Sequence, residues 1–283
     1  MLRSLIVLLL GLAFSDLAAV ERSIELSSLE GEQAKELKAE IARNLKSGMQ
    51  YHRLEVPLRF VAYRLKKREH FYTVVTRLSQ DPDTLASLNS LAHPDELKEG
   101  DVILVPNARG VFRDPGKEKG GMYVSVMKGS GTMSFDFFPG RRFEPRERDF
   151  FQGIVFLHPL PTARQSSGFG WRKDPIHGKP AFHGGIDLAA PEGTPARAAE
   201  SGEVIFIGNR AGYGRTVMIQ HDYGYVTLYG HLSRILVKKG EKVQRGMDIG
   251  LVGKTGRVTG PHLHFEILKE GRQRRPVFDV RHR

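Results

Sequence analysis

Imidazole and carboxylate groups gather in two short stretches of the C-terminal half. They are His183-Gly-Gly-Ile-Asp187 and Pro261-His262-Leu263-His264-Phe265-Glu266. Zinc accepts nitrogen and oxygen ligands, and its catalytic sites use three protein groups plus a water. His183, Asp187, His262 and His264 therefore suffice for such a site with one position left for water. Bound water has its pKa lowered toward about 7, which supplies hydroxide near neutral pH. That chemistry is hydrolysis, so these residues point to an enzyme rather than a binding module.

Each stretch needs an element to aim it. Read as a strand, 261–267 puts His262, His264 and Glu266 on one face and Leu263, Phe265 and Ile267 on the other, against a core. A His-x-His pair is more often structural than metal-binding, and the first stretch changes that balance. Its paired glycines oppose a helix. In an extended chain His183 and Asp187 would lie about 13 Å apart, so reaching one ion needs a bend, which glycines permit. Alternation alone does not separate His262 from His264. His231, at the end of the strand-like Tyr229-Gly-His-Leu232, is not decided by spacing. His177 and His221 sit in turn-like sequence and are expected to be exposed loop histidines. No His-Glu-x-x-His helix is present, which removes the zincin arrangement with its glutamate base. Glu266 is expected to stand behind a histidine rather than act as the base.

The chain has 283 residues, 40% hydrophobic and 27% charged, room for two modest domains. Its net charge of +11 favours anionic partners. With no zinc-finger cysteines and no aromatic run interleaved with basic residues, nucleic acid is not expected. There is no cysteine, so a disulfide framework and a lipid-anchored signal are both excluded. Residues 1–20 carry an early arginine, an apolar stretch from Leu5 to Phe14 and a small-residue Leu17-Ala-Ala19 end. This is the layout of a secretory signal, too short for a comfortable membrane span. An exported protein, periplasmic or envelope-associated, is expected, with no stable span once the signal is removed.

Residues 21–60 read as a helical segment, with Ala34, Leu37, Ile41 and Leu45 at helical spacing. Residues 61–107 read as strand, two helices and strand, the second helix capped by Asp81 or Asp83. Residues 108–157 read as a Gly/Pro-rich linker and a hairpin around Lys128-Gly-Ser-Gly131, followed by Arg141, Arg142, Arg146 and Arg148 as a solvated basic face. From 158 to 283, short Val/Ile runs between glycine turns predict an antiparallel sheet domain. The fold class is thus mainly β, with a small α+β module and a helical segment upstream.

Two resemblances refine this reading. Residues 61–107 resemble the LysM glycan-binding module in Leu85, Leu88-Asn89, Leu97, Gly100 and Leu104-Val-Pro106. They depart from it at Arg68-Glu69-His70, where the family carries a glycine. Residues 167–276 resemble the lysostaphin-type, or LytM-type, zinc endopeptidases of bacterial cell walls. The matching blocks are Ser167-Gly-Phe-Gly-Trp-Arg172, Phe182 to Pro195, Gly212-Tyr-Gly214, Tyr229-Gly-His-Leu232, Gly253-Lys-Thr-Gly256 and Thr259 to Glu266. The resemblance implies one Zn2+ per chain held by His183, Asp187 and His264. It implies that His231 and His262 act on the reaction, and that peptidoglycan peptide is the substrate, with glycan as a further partner through the LysM-like module. Some members of that family have lost zinc and regulate other wall hydrolases, an alternative that the full ligand set here disfavours. A glycan-binding protein with an inert C-terminal domain would bind wall without needing metal. Residues before Pro159 could lie over the site and keep it latent.

Overall fold

The computed structural model describes residues 20–51, 53–128, 130–173 and 178–279. The expected signal, except Val20, and His177 lie outside them. None of the described helices is long and apolar enough to cross a membrane.

Val20–Arg22 (β1) and Ile24–Leu26 (β2) precede helix α1 (Glu32–Tyr51). The segment expected to be helical therefore opens with two short strands. Ala34, Leu37 and Ile41 of α1 are buried, as their spacing requires. Next come β3 (Phe60–Arg64), α2 (Phe71–Leu78), α3 (Pro82–Leu88) and β4 (Val102–Pro106). β3 pairs antiparallel with β4 and parallel with β2. Asp81 caps α3, accepting from the Asp83 backbone N–H at 2.9 Å. In the loop after β3, Arg68 takes a left-handed φ of +68° where a glycine would be at ease. Glu69 closes that loop by accepting from Tyr63 Oη at 2.6 Å and Lys66 N at 2.8 Å.

The expected linker holds a strand. Gly110–Arg113 (β5) pairs with the hairpin of β6 (Met122–Lys128) and β7 (Gly131–Pro139), giving a sheet in the order β1-β6-β7-β5. Helix α4 (Pro145–Phe151) follows. The arginines around it remain at least partly exposed, and each has a carboxylate partner. Arg142 pairs with Asp81, Arg148 with Asp83 and Arg146 with Glu200 and Asp222; Arg141 pairs with Glu118.

The C-terminal domain is built of β8 (Arg164–Ser167), β9 (Gly170–Lys173), β10 (Pro180–His183), β11 (Ile186–Ala189), β12 (Pro195–Arg197), β13 (Gly202–Arg210), β14 (Gly214–Gln220), β15 (Tyr225–Leu232), β16 (Arg234–Ile235), β17 (Lys242–Val243), β18 (Asp248–Leu251), β19 (His262–Lys269) and β20 (Arg272–Arg274). The main sheet runs β17-β13-β14-β15-β19-β11-β8, all antiparallel, with β20 on β19. Its core includes Leu188, Val217, Tyr229, Leu263 and Phe265, and it takes in Ala92 and Phe150 from upstream.

Upstream residues meet this domain at one end of the sheet. Tyr225 Oη donates to the Ala92 carbonyl at 2.9 Å, Arg274 reaches Glu96 at 3.0 Å, and Phe150 packs on Phe156, Tyr223 and Tyr225. Tyr225 and Lys269 are paired there, while His231 and His262 lie at the opposite ends of β15 and β19. Six residues of strand separate Tyr225 from His231, about 20 Å. These contacts join the described upstream residues to the end of the sheet far from the histidines.

Candidate metal centre

β19 presents its histidines as alternation requires. Leu263, Phe265 and Ile267 are buried in the core, and His262, His264 and Glu266 share the other face. β11 lies beside it with Asp187 paired to His264 and Ala189 to His262. That register brings Asp187 Oδ1 to 2.9 Å from His264 Nδ1, against 3.6 Å from His262 Nε2. His183 ends β10, and Gly184-Gly185 carry the chain into β11. Gly185 is needed for the close approach of the backbone to β19. A Cβ on Gly185 would lie 2.2 Å from the Phe265 carbonyl, and one on Gly184 would lie 2.1 Å from Gln273 Nε2.

His183, Asp187 and His264 thus converge. His183 Nε2 lies 3.2 Å from Asp187 Oδ1 and 3.1 Å from His264 Nδ1. The outer nitrogens fix what faces inward. His183 Nδ1 is 2.7 Å from the Gly168 carbonyl, so it carries the proton and donates. His264 Nε2 is 3.0 Å from Glu266 Oε1 and donates likewise. Two imidazole lone pairs and a carboxylate oxygen are left facing one point, which repels unless a cation or a shared proton sits there. Zinc bonds of about 2.0–2.1 Å in a tetrahedron put ligand atoms about 3.3 Å apart. The observed 2.9–3.2 Å edges are close to that figure, so the residues fit the metal. Burial works against ionising Asp187, but in the metal-free protein a second proton on His183 or His264 would be donated to it, and such bonds hold its carboxyl far below the usual range.

Residues 181–276 match the model of Peptidase family M23. The C-terminal unit is a peptidase family M23 domain. Over 126 residues it is 51% identical to the peptidoglycan DD-endopeptidase ShyA of Vibrio cholerae. It is 48% identical over the same length to the DD-carboxypeptidase/endopeptidase Mpg of Neisseria meningitidis. Each match takes in 44% of this chain and 29% of the relative, so the chain spans less than a third of the length of these curated relatives. A zinc-containing peptidase structure from Vibrio cholerae is 28% identical, covering 79% of this chain and 71% of that one, with a TM-score of 0.42.

Two further histidines border the M23 centre. Gly230 and His231 stand opposite Thr216 alone, a bulge between the Arg215–Leu232 and Val217–Tyr229 pairs. His231 takes a left-handed φ of +62°, and its N–H donates to the Tyr213 carbonyl at 2.7 Å. The bulge turns its ring toward His262, 4.7 Å away, and His264, 5.8 Å away. His231 Nδ1 donates to the Thr255 carbonyl at 2.8 Å and His262 Nδ1 to the Gly260 carbonyl at 2.9 Å. Both are left with a bare Nε2. Burial holds His231 down to about 4, so it is neutral at physiological pH.

Behind the centre, Glu266 is 1% exposed and its Oε1 accepts from His264, from Tyr213 Oη at 2.9 Å and from Gln273 Nε2 at 2.9 Å. Burial would raise its pKa, and these hydrogen bonds bring it below the usual value. Arg172 approaches Asp187 Oδ2 at 3.4 Å. Gly168, Arg172, Tyr213 and Thr255 were not singled out by sequence reasoning, although all four fall in the blocks that carry the resemblance. Gln273 gave no signal. His221 is not an exposed loop residue. It is buried, with Nδ1 on the Ser201 carbonyl and Nε2 on Thr227 Oγ1, both at 2.8 Å.

Proposed function

We propose that this protein is an exported, zinc-dependent endopeptidase that hydrolyses peptide bonds of peptidoglycan, in cross-links or stem peptides. The observation that carries the reading is the convergence of three electron-pair donors beside the imidazoles of His231 and His262. Its M23 domain and its likeness to relatives named for peptidoglycan endopeptidase activity support the substrate class.

His183, Asp187 and His264 would hold one zinc ion. When bound, the metal supplies a Lewis acid that polarises the scissile carbonyl and acidifies water. His231 and His262 present bare Nε2 atoms at the edge of that site. One accepts a proton from the attacking water and returns it to the leaving amine. The imidazolium N–H so formed faces the developing oxyanion. The carbonyls of Thr255 and Gly260 fix which ring nitrogen is available. Glu266 fixes His264 in the same way. The module at 61–107 would hold glycan and keep the enzyme on the wall.

Digestion of purified cross-linked peptidoglycan, followed by mass analysis of the fragments, tests the reading. Cleavage is expected with zinc, and its loss is expected with a chelator and in His183→Ala. Equal release in all three would overturn the zinc assignment.

A further inference from the structure

Arg172 reaches the metal centre from a hairpin that also delivers one of its ligands. β9 pairs with β10 so that Arg172 stands opposite Ala181, and Gly170 stands opposite His183. Paired residues share a face, and so do residues two apart along a strand. Arg172 and His183 therefore lie on one side of the hairpin, while Trp171, Lys173 and Phe182 lie exposed on the other. The Arg172 guanidinium is 3.4 Å from Asp187 Oδ2. The other oxygen, Oδ1, is the one that meets His183 Nε2 at 3.2 Å and His264 Nδ1 at 2.9 Å. One carboxylate is thus divided, with Oδ1 toward the ligand set and Oδ2 toward Arg172. Arg172 Nε is buried and has no hydrogen-bond partner among the described residues. A buried donor left bare costs about 1–3 kcal/mol. Arg172 brings its charge to Asp187 while one of its own donors goes unmet.

We propose that Arg172 is a positioning residue that restricts Asp187 to a single oxygen toward the metal. The inference rests on the zinc endopeptidase reading and adds a part to it. A carboxylate can give a metal one oxygen or both. With both, Asp187 would fill the position that a catalytic site keeps for water. A guanidinium is always charged, and its hydrogen bonds to carboxylate are charge-assisted. Drawn to Arg172, Oδ2 is held back from the ion and the water's position stays free.

The test uses the full chain with Arg172→Gln or Arg172→Lys, loaded with cobalt(II) in place of zinc. Cobalt reports its coordination number in visible absorption, which is strong for four ligands and weaker for five. Arg172→Gln is expected to lower the absorption per bound ion by about half, as Oδ2 turns inward. Arg172→Lys keeps the charge and is expected to recover part of it. In the zinc form, Arg172→Gln should lower turnover of peptidoglycan fragments by about 10–100-fold. Zinc affinity, read by chelator competition, should stay within about tenfold, because the second oxygen replaces the support that the arginine gave. The metal-free Arg172→Gln chain should melt within about 2 °C of wild type, since a bare buried donor leaves together with the ion pair. An unchanged cobalt spectrum in Arg172→Gln, or a large fall in its metal-free melting temperature, would overturn the proposal. A spectrum that changes as expected, in a protein whose wild-type form cleaves no peptidoglycan, would support the role of Arg172 and refute the endopeptidase reading.

Discussion

Glu266→Gln isolates what the buried carboxylate does for the metal. The change keeps size and shape and removes a charge from a side chain that is 1% exposed. Three donors converge on Oε1, from His264, Tyr213 and Gln273, at 2.9–3.0 Å. Hydrogen bonds to a charged acceptor contribute about 1.5–3 kcal/mol each, against about 0.5–1.5 kcal/mol for neutral pairs. Three weakened bonds would cost about 3 kcal/mol, and relief from burying a charge offsets part of that. A net loss of about 1–2 kcal/mol in the metal-free protein is expected. The larger consequence falls on zinc. Without the carboxylate, His264 Nδ1 is less basic and its ring less firmly aimed, and loss of such partners typically costs about 10–100-fold in metal affinity. That range is about 1.4–2.7 kcal/mol. Competition against a chromophoric chelator measures it directly. Thermal melts provide a second reading, because zinc at 100 times its Kd stabilises by about 2.7 kcal/mol, and a hundredfold weaker site at the same free zinc gives only about 0.4 kcal/mol. If Glu266→Gln binds zinc within twofold of wild type, the argument that this carboxylate sets the ligand is wrong.

Tyr213→Phe keeps the ring beside His264 and removes one donor to Glu266, so zinc affinity should fall about tenfold by the same chelator competition. His231→Gln should reduce kcat on peptidoglycan fragments by about 10²–10⁴-fold while zinc affinity stays within a few-fold, a split between turnover and metal titration. Gly185→Ala must part β11 from β19 to clear the Phe265 carbonyl, so a loss of about 1–3 kcal/mol in chemical denaturation is expected together with weaker zinc binding. His221 has its pKa lowered by burial, so its stabilising effect is full above about 6.5 and is lost as pH falls below that value. His221→Gln should therefore flatten the acid side of the stability–pH curve, as read by melting temperature at stepped pH.

Local pattern carried the reading of β19 far, because alternation alone sets which side chains share a face. It could not choose between His262 and His264. That choice is made by the register against β11, which pairs Asp187 with His264. His231 was beyond any periodicity, since a bulge and a left-handed backbone aim it. The strand at 110–113 looks like linker from sequence because its partner, β7, begins some distance along the chain and its flanks are rich in glycine and proline. The arginines from 141 to 148 are partly exposed, and all four have carboxylate partners from other parts of the chain, Glu118, Asp81, Asp83, Glu200 and Asp222, which a local window does not see. His221 looked exposed because turns usually are, and only the tertiary fold closes Ser201 and Thr227 around it.

Ala92 and Phe150 belong to the same apolar core as Leu188, Val217 and Phe265. Modules joined through a common interior are not interchangeable beads. A recombination event that cut this chain near Pro159 would strip side chains from around Phe156 and Tyr225 and leave their faces wet. Such a graft would succeed only where a new neighbour brought a matching plug. The upstream half and the M23 domain are therefore expected to be inherited as a unit.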